Sequence, residues 1–361
     1  MKRSPLFYLS LITLFGAIAR FWLFWKDGLH TDELWTLNLV KHDLLYVIGY
    51  SLTNDCNPPL FYVLDWLSVH LLGFTRFAER LPSVIAGIAL IPAAYYLGKE
   101  YKGETLGLLS ALAMSTLGSM WYYSQFGRSY MLQCLLFTVF AIYYIRLVRG
   151  DFDEKNWMLI TVLTVALAYT HLFAIVPLTV LWGYLIVMHY RESLKWAAVT
   201  VIGSVPLLAL FKAILDQRAV PRDIAATQWN WYGTTAPQLI VFAPLEFFGY
   251  LFVFWVPLVV YSVWTYRKMQ EITVMVCTAA ISFLILLALC NTTPVFLRYI
   301  LLFVPVLVTI GLFPVAEFLD STEHTNAQKW FVMTSFGIFY IAITIFQFWS
   351  GLYAAKGTYF V

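Results

Sequence analysis

The stretch "NPPLFYVLDWLSVHLLGF", Asn57 to Phe74, decides the topology of this 361-residue chain. It is apolar, yet short for a membrane span, and it carries Asp65 and His70, each costly in hydrocarbon. If it crosses, every later loop changes sides. We read it as an amphipathic helix lying on the membrane surface. Pro58 and Pro59 then occupy its first turn, where a missing N–H matters least. Upstream, Leu37, Val40, Leu44 and Val47 recur at spacings of three or four, the pattern of another surface helix. Lys41, His42 and Asp43 take its other sides. One long loop, about 26–79, therefore holds two interfacial helices.

Composition supports a membrane setting. Hydrophobic residues make up 61% of the chain, aromatics 18% and charged residues 12%, against about 25% charged in soluble domains. Apolar runs long enough to cross a bilayer, about 20 residues each, recur roughly eleven times. They lie near 5–25, 80–98, 104–123, 128–147, 157–171, 173–189, 195–213, 240–264, 272–290, 299–317 and 330–349. The expectation is an all-α polytopic membrane protein with one domain over residues 1–361 and no soluble domain. The first run is of spanning length and ends in Trp22 and Trp25, typical interface aromatics, so it reads as a retained helix. A net charge of +3 gives no reason to expect nucleic acid.

With the N-terminus inside, the polar pieces "GKEYKGE", "RLVRGDFDEKN", "HYRESLK", "YRKMQE" and "DSTEHTNAQK" face the cytoplasm. Together with Lys2 and Arg3 they hold twelve of the 23 Lys and Arg. That placement agrees with the positive-inside rule, but only if Asn57–Phe74 does not cross. A second outer loop, about 214–239, carries Arg218, Arg222, Trp229, Trp231 and Tyr232. The cysteines Cys56, Cys134, Cys277 and Cys290 show no metal-ligand spacing, and pairing of Cys56 with Cys290 is not readable from sequence.

Six stretches, "TDELW", "NPPLFYVL", "RFAERLPSVIAG", "YYSQFGRSYML", "AYTHLFAIVPL" and "PVFLRYILLFVPVL", occur in this order. In that order they resemble glycosyltransferase family 39, whose relatives include the protein O-mannosyltransferases and the lipid A aminoarabinose transferases. The resemblance covers about residues 1–320. It implies a GT-C bundle and an inverting transferase that moves a sugar from a polyprenyl-phosphate donor to an acceptor hydroxyl at the outer membrane face. The sugar is a hexose or a pentose, and the acceptor a lipid, glycan or protein. The implied location is the plasma (inner) membrane, with the site on its outer, periplasmic side. A transporter or flippase of a lipid-linked glycan, or a non-catalytic envelope-assembly subunit, is the competing reading. Few charges fall at mid-span, where transporters tend to place them.

A sugar on a lipid phosphate is already activated. What remains is to deprotonate the incoming hydroxyl, worth about 10²–10⁴-fold, and to stabilise the departing phosphate. Asp32 matches the acidic position of the family and becomes the base; the bland alternative is a helix N-cap, shared with Thr31. Glu33, about 100° further around a helix, supports it by orienting the acceptor or pairing with a cation. Asp27 and Asp43 read as surface charges. Asn57 donates to the phosphate or caps the helix that follows. The family often has His or Glu-Lys before the prolines, where this chain reads Asp55-Cys56-Asn57, so a divalent metal is left without a clear ligand set. Arg128, His171, Arg298 and Tyr299 are assigned to the donor phosphate, a guanidinium fork suiting that task, with organising the catalytic acids as the alternative for Arg128. Arg80 reads as fixing a turn at the end of the second surface helix. Arg218, Arg222, Trp229 and Trp231 are candidates for an acceptor contact or lid.

Overall fold

The computed structural model describes residues 4–22, 28–55, 57–210, 212, 236–289 and 296–349. Among these residues all regular structure is helical. In chain order the first eleven helices are α1 (Pro5–Phe21), α2 (Thr31–Leu39), α3 (Leu44–Thr53), α4 (Pro59–Leu72), α5 (Arg76–Lys102), α6 (Glu104–Thr116), α7 (Gly118–Ser124), α8 (Tyr130–Val148), α9 (Glu154–Thr170), α10 (Ile175–Met188) and α11 (Tyr190–Ser204). Among the described residues, six helical stretches are long and apolar enough to cross a membrane: Arg76–Lys102, Tyr130–Val148, Leu239–Tyr266, Gln270–Leu289, Leu297–Asp320 and Asn326–Phe346. The chain is an integral membrane protein. The second loop's Arg218, Arg222, Trp229, Trp231 and Tyr232 lie outside the described residues, as do Trp25, Asp27, Cys56 and Cys290.

Helix α4 is 14 residues long, about 21 Å at the usual helical rise, short of the ~30 Å hydrocarbon layer. Phe61, Tyr62, Asp65 and Val69 face inward and are buried, whereas Leu67 and Leu71 stay exposed. The length and the two-faced burial agree with a helix lying on the bundle. The stripe from Leu37 to Val47, expected as one helix, is two. Helix α2 stops at Leu39, and Asp43 caps α3 by accepting from the Tyr46 N–H at 3.0 Å. The loop thus holds three helices, and Asp43 has a local structural task.

The expected turn near Arg80 is absent. Thr75 caps α5 instead, and the helix runs through Pro82 without ending. Pro82 has no N–H for the carbonyl of Ala78. The Ser68 hydroxyl from α4 donates to that carbonyl in its place, which docks α4 onto α5.

Helix α5 is the axis of the bundle, flanked by α1, α4, α6 and α8. Its closest approach is to α6. A Cβ added at Gly98 would stand 2.7 Å from the Leu106 carbonyl oxygen, and one at Gly107 would stand 2.7 Å from that of Tyr95. Small residues of this kind let membrane helices touch backbone to backbone.

The run 104–123 is not one helix but breaks at Leu117 into α6 and α7. Arg20, fully buried on α1, resolves the break. Its Nη2 donates to the orphaned Met114 carbonyl at 2.9 Å and its Nε to the Ser124 hydroxyl at 3.0 Å. Gln125 returns the favour at the end of α1, donating to the carbonyls of Arg20 and Trp22. Helix ends inside a membrane protein need such partners for their free carbonyls.

The charged residues separate to the two ends of the bundle. At one end Arg80 pairs with Glu33 and Arg298 with Asp32. At the other, Lys99 pairs with Glu104, Lys102 with Glu317, Arg146 with Glu100, Arg149 with Glu271 and Lys195 with Glu154. Along α5, Arg80 and Lys99 stand about 28 Å apart by helical rise.

Gly98→Ala should push α5 from α6 and cost about 1–3 kcal/mol. Thermal unfolding in detergent should show it as a lowered midpoint. Gly49→Ala on α3 is the control, since nothing lies within 4 Å of the added carbon; it should leave the midpoint unchanged or raise it.

Candidate active site

The first turn of α2 organises the site. Its cap is His30, neither Asp32 nor Thr31: the His30 Nδ1 accepts from the Asp32 N–H at 3.2 Å, and the His30 N–H donates to Glu33 Oε2 at 2.8 Å. An imidazole accepting at Nδ1 is neutral. Burial, opposed by Asp32 and Glu33 but seconded by Arg298 and Arg128, holds the His30 pKa below its ordinary value. With capping done by His30, the Asp32 carboxylate is free of that duty.

Glu33 points into the protein and is fully buried. Its Oε1 receives Arg80 Nε at 2.7 Å and the Gly127 N–H at 2.8 Å; its Oε2 receives Arg80 Nη2 and the His30 N–H, both at 2.8 Å. Four donors fill the acceptor positions of a carboxylate. Glu33 thus takes the cation-pairing role, and Arg80, rather than fixing a turn, ties α5 to α2. Arg80 Nη2 also reaches the Gly28 carbonyl at 3.0 Å.

Asp32 turns the other way and keeps 28% of its side chain exposed. Arg298 Nη2 meets its Oδ2 at 3.1 Å. Arg128 approaches from the loop between α7 and α8, donating through Nη1 to Thr36 Oγ1 at 2.8 Å and to the Asp32 carbonyl at 3.4 Å. Ser83 on α5 holds the Arg128 carbonyl at 2.9 Å. Aromatic faces surround the arginines: the Arg298 guanidinium sits 4.2 Å from the Phe296 ring centre and 5.4 Å from that of Tyr130. His171 packs between Tyr299 at 4.8 Å and Tyr130 at 5.8 Å. Its Nδ1 accepts from the Phe173 N–H at 3.2 Å, which leaves the proton of the neutral ring on Nε2.

Asn57 does not cap α4; Pro58 holds that position without a side-chain bond. The Asn57 amide and backbone N–H turn to Asp55 Oδ1 at 3.3 Å, while Tyr62 donates to Asp55 Oδ2 at 2.7 Å. Asn57, Phe61, Tyr62, Arg128, Ser129 and Thr170 line a small cleft. Asp32, Arg128, His171, Arg298 and Tyr299 thus gather at one end of the bundle, with Asn57 across the cleft from Arg128. The sequence reading missed His30, Thr36, Tyr130 and Phe296 as members of this group, although Tyr130 and Phe296 stand inside the quoted stretches.

Two further acids lie behind it. Asp65 on α4 and Glu79 on α5 are fully buried, and their carboxyl oxygens have no hydrogen-bond partner among the described residues. Burial pushes the Asp65 pKa up to about 8, against the pull of Arg128 and with the help of Glu33. A neutral acid is the form such a site tolerates. The same carboxyl group of Glu79 packs on Gly127, where an added Cβ would meet it at 2.3 Å. No group of three or more His, Cys, Asp or Glu able to hold a metal ion occurs among the described residues. The Asp151-Phe152-Asp153 triplet lies at the far end, where Asp153 caps α9.

Residues 56–216 match the family described as dolichyl-phosphate-mannose-protein mannosyltransferase. That segment contains four of the six motif stretches and bears out the resemblance read from them. Asp32 and Arg298 lie outside it and join it in space. By sequence the chain matches no curated protein. In fold it is similar to ArnT from Cupriavidus metallidurans bound to undecaprenyl phosphate, with a TM-score of 0.62 at 15% identity over 90% of this chain and 61% of that one. It is also similar to the archaeal oligosaccharyltransferase AglB from Archaeoglobus fulgidus, in complex with an inhibitory peptide and a dolichol-phosphate. There the TM-score is 0.62 at 11% identity, over 98% of this chain and 56% of that one. The chain therefore spans less than two thirds of the length of either. The expected GT-C fold is borne out.

Glu33→Gln leaves Arg80 buried against a neutral amide, a loss of about 3–5 kcal/mol by analogy with broken buried pairs, to be read by thermal unfolding. For Asp65 the sign follows from its raised pKa. Between about pH 4 and 8 the unfolded chain releases this proton and the folded chain keeps it, so stability falls with rising pH by up to ~1.4 kcal/mol per unit. Asp65→Asn should flatten that slope, and its advantage over wild type should grow from pH 5 to 8 in unfolding scans.

Proposed function

We propose that this membrane protein of GT-C fold is a glycosyltransferase, acting on a polyprenyl-phosphate-linked sugar and a hydroxyl of a lipid, glycan or protein. Asp32 takes the proton of that hydroxyl. The freed oxygen attacks the anomeric carbon, the new C–O bond forms on the face opposite the phosphate, and the polyprenyl phosphate leaves with the electrons of the broken bond. The observation that carries this reading is the situation of Asp32. Of the acids gathered at this end, Glu33, Asp65 and Glu79 are sealed and Asp55 is buried and bonded to Tyr62 and Asn57, whereas Asp32 is part exposed between Arg298 and Arg128.

The departing phosphate would lie against Arg128 and Arg298, with His171 Nε2–H, Tyr299 and Asn57 as further donors. Charge-assisted donors held in an apolar setting stabilise a developing anion more than they would in water. Tyr130 and Phe296 hold the Arg298 guanidinium over their rings. Glu33 contributes by fixing the turn that aims Asp32. ArnT and AglB were captured with undecaprenyl phosphate and dolichol-phosphate, which supports a lipid phosphate as the ligand. The basic residues at the end opposite the site support an outer-face site in the plasma membrane. Arg218, Arg222, Trp229 and Trp231 remain candidates for the acceptor side.

The test compares envelope lipids and glycans by mass spectrometry in a deletion strain complemented with wild type or Asp32→Asn. The expected outcome is loss of one sugar modification with Asp32→Asn, at least ~100-fold in rate, at unchanged protein level. Transfer at the wild-type rate would remove Asp32 as the base. Accumulation of an untranslocated lipid-linked sugar would point to a transporter instead.

A further inference from the structure

Two acid–arginine pairs stand on adjacent residues, and they are built differently. Glu33 and Arg80 meet through two bonds of 2.7 and 2.8 Å, both side chains nearly or wholly enclosed, with two backbone N–H groups completing the carboxylate. Asp32 and Arg298 meet through one contact of 3.1 Å, with the side chains 28% and 13% exposed. Bidentate buried pairs are strong and geometrically fixed; a single contact leaves the other donors of the guanidinium fork open to a further acceptor. Arg298 also has donor capacity to spare. Its Nε is buried and has no hydrogen-bond partner among the described residues. The guanidinium also lies over the Phe296 and Tyr130 rings, a contact that does not depend on the acid.

We propose that the Asp32–Arg298 pair is a latch opened by the lipid phosphate of the donor. Arg298 takes one acceptor position of the Asp32 carboxylate at Oδ2 and so holds the orientation of that group. A phosphate arriving beside Arg298 offers several oxygens to the guanidinium, including the unpartnered Nε, and competes with the single contact to Asp32. The arginine moves from carboxylate to phosphate by rotation of its own side chain between the same two rings. Asp32 is released at the moment the sugar to be attacked is in place. The device ties the orientation of the base to the arrival of the donor. It rests on the donor reading given above and adds to it an order of events.

The device has a thermodynamic signature. If Asp32 and the phosphate compete for one arginine, removing the carboxylate must tighten phosphate binding, and the gain must depend on Arg298. Binding of undecaprenyl phosphate to the full chain in lipid nanodiscs is measured for wild type, Asp32→Asn, Arg298→Gln and the double variant. The expected result is about tenfold tighter binding by Asp32→Asn than by wild type, weaker binding by Arg298→Gln, and a gain of no more than about twofold when Asp32→Asn is added to Arg298→Gln. An equal gain in both backgrounds means simple charge repulsion and overturns the latch, as does no gain in either. Neither of those results touches the donor reading. Absence of undecaprenyl phosphate binding from wild type and all variants overturns the donor reading and the latch together. Unaltered gel-filtration profiles identify folded variants.

Discussion

The carboxylate of Glu33 is the contact on which the site depends. It lies at the meeting point of three segments that are far apart in the chain: the first turn of α2, the start of α5 and the loop between α7 and α8. Arg80 and the N–H groups of His30 and Gly127 bring four donors to its two oxygens. A buried charge is tolerable only when its hydrogen-bonding capacity is met in full, so each donor is needed for the others to stay. Gly127 belongs in this set for a steric reason as well, since a side chain there would strike Glu79. Once Glu33 is held, its neighbour Asp32 must project about 100° away around the helix. The inward acid fixes the outward one.

Irregular backbone then places the remaining groups. The break at Leu117 turns α7 away from the line of α6 and brings Tyr123, Gly127 and Arg128 to the end of the bundle. Arg20 makes the break affordable by supplying the Met114 carbonyl with a donor. The 3-10 stretch Leu297–Phe303 and the short turn after α9 do the same for Arg298 and His171. Non-helical backbone survives in a membrane protein where protein groups satisfy it, and helix ends are where such groups converge. The site therefore sits where several helices begin or stop, and the long regular spans serve to hold those ends in register.

The acids at this end fall into separate roles through burial and pairing. Glu33 is sealed and paired, Asp65 and Glu79 are sealed without a hydrogen-bond partner among the described residues, and Asp32 is part exposed beside two arginines. Identical chemistry thus yields a fully bonded carboxylate, two enclosed carboxyl groups and one open to its surroundings. The same contrast separates the arginines. Arg80 is consumed by Glu33, Arg128 is held by Thr36 and Ser83, and Arg298 retains an unmet donor. Solvent access and the number of partners, rather than residue type, distribute these tasks.

Much of this was already legible in the chain. The excess of apolar residues and the basic pieces between spans pointed to a helical membrane bundle, and the short, charged character of Asn57–Phe74 set that helix apart from the spans. All three are local properties that hold in any tertiary arrangement. The motif stretches also singled out Asp32, Arg128, His171 and Arg298. Other features depended on contacts between distant segments. Arg80 looked like part of a turn because its partner is 47 residues away, and His30 looked incidental because capping depends on the geometry of one turn. The stripe from Leu37 to Val47 kept helical spacing across a break, since periodicity registers which side faces inward and not where the chain stops. Only the folded structure decided which acid is enclosed and which is offered. That choice follows from desolvation, a property of the assembled surroundings that no residue carries by itself.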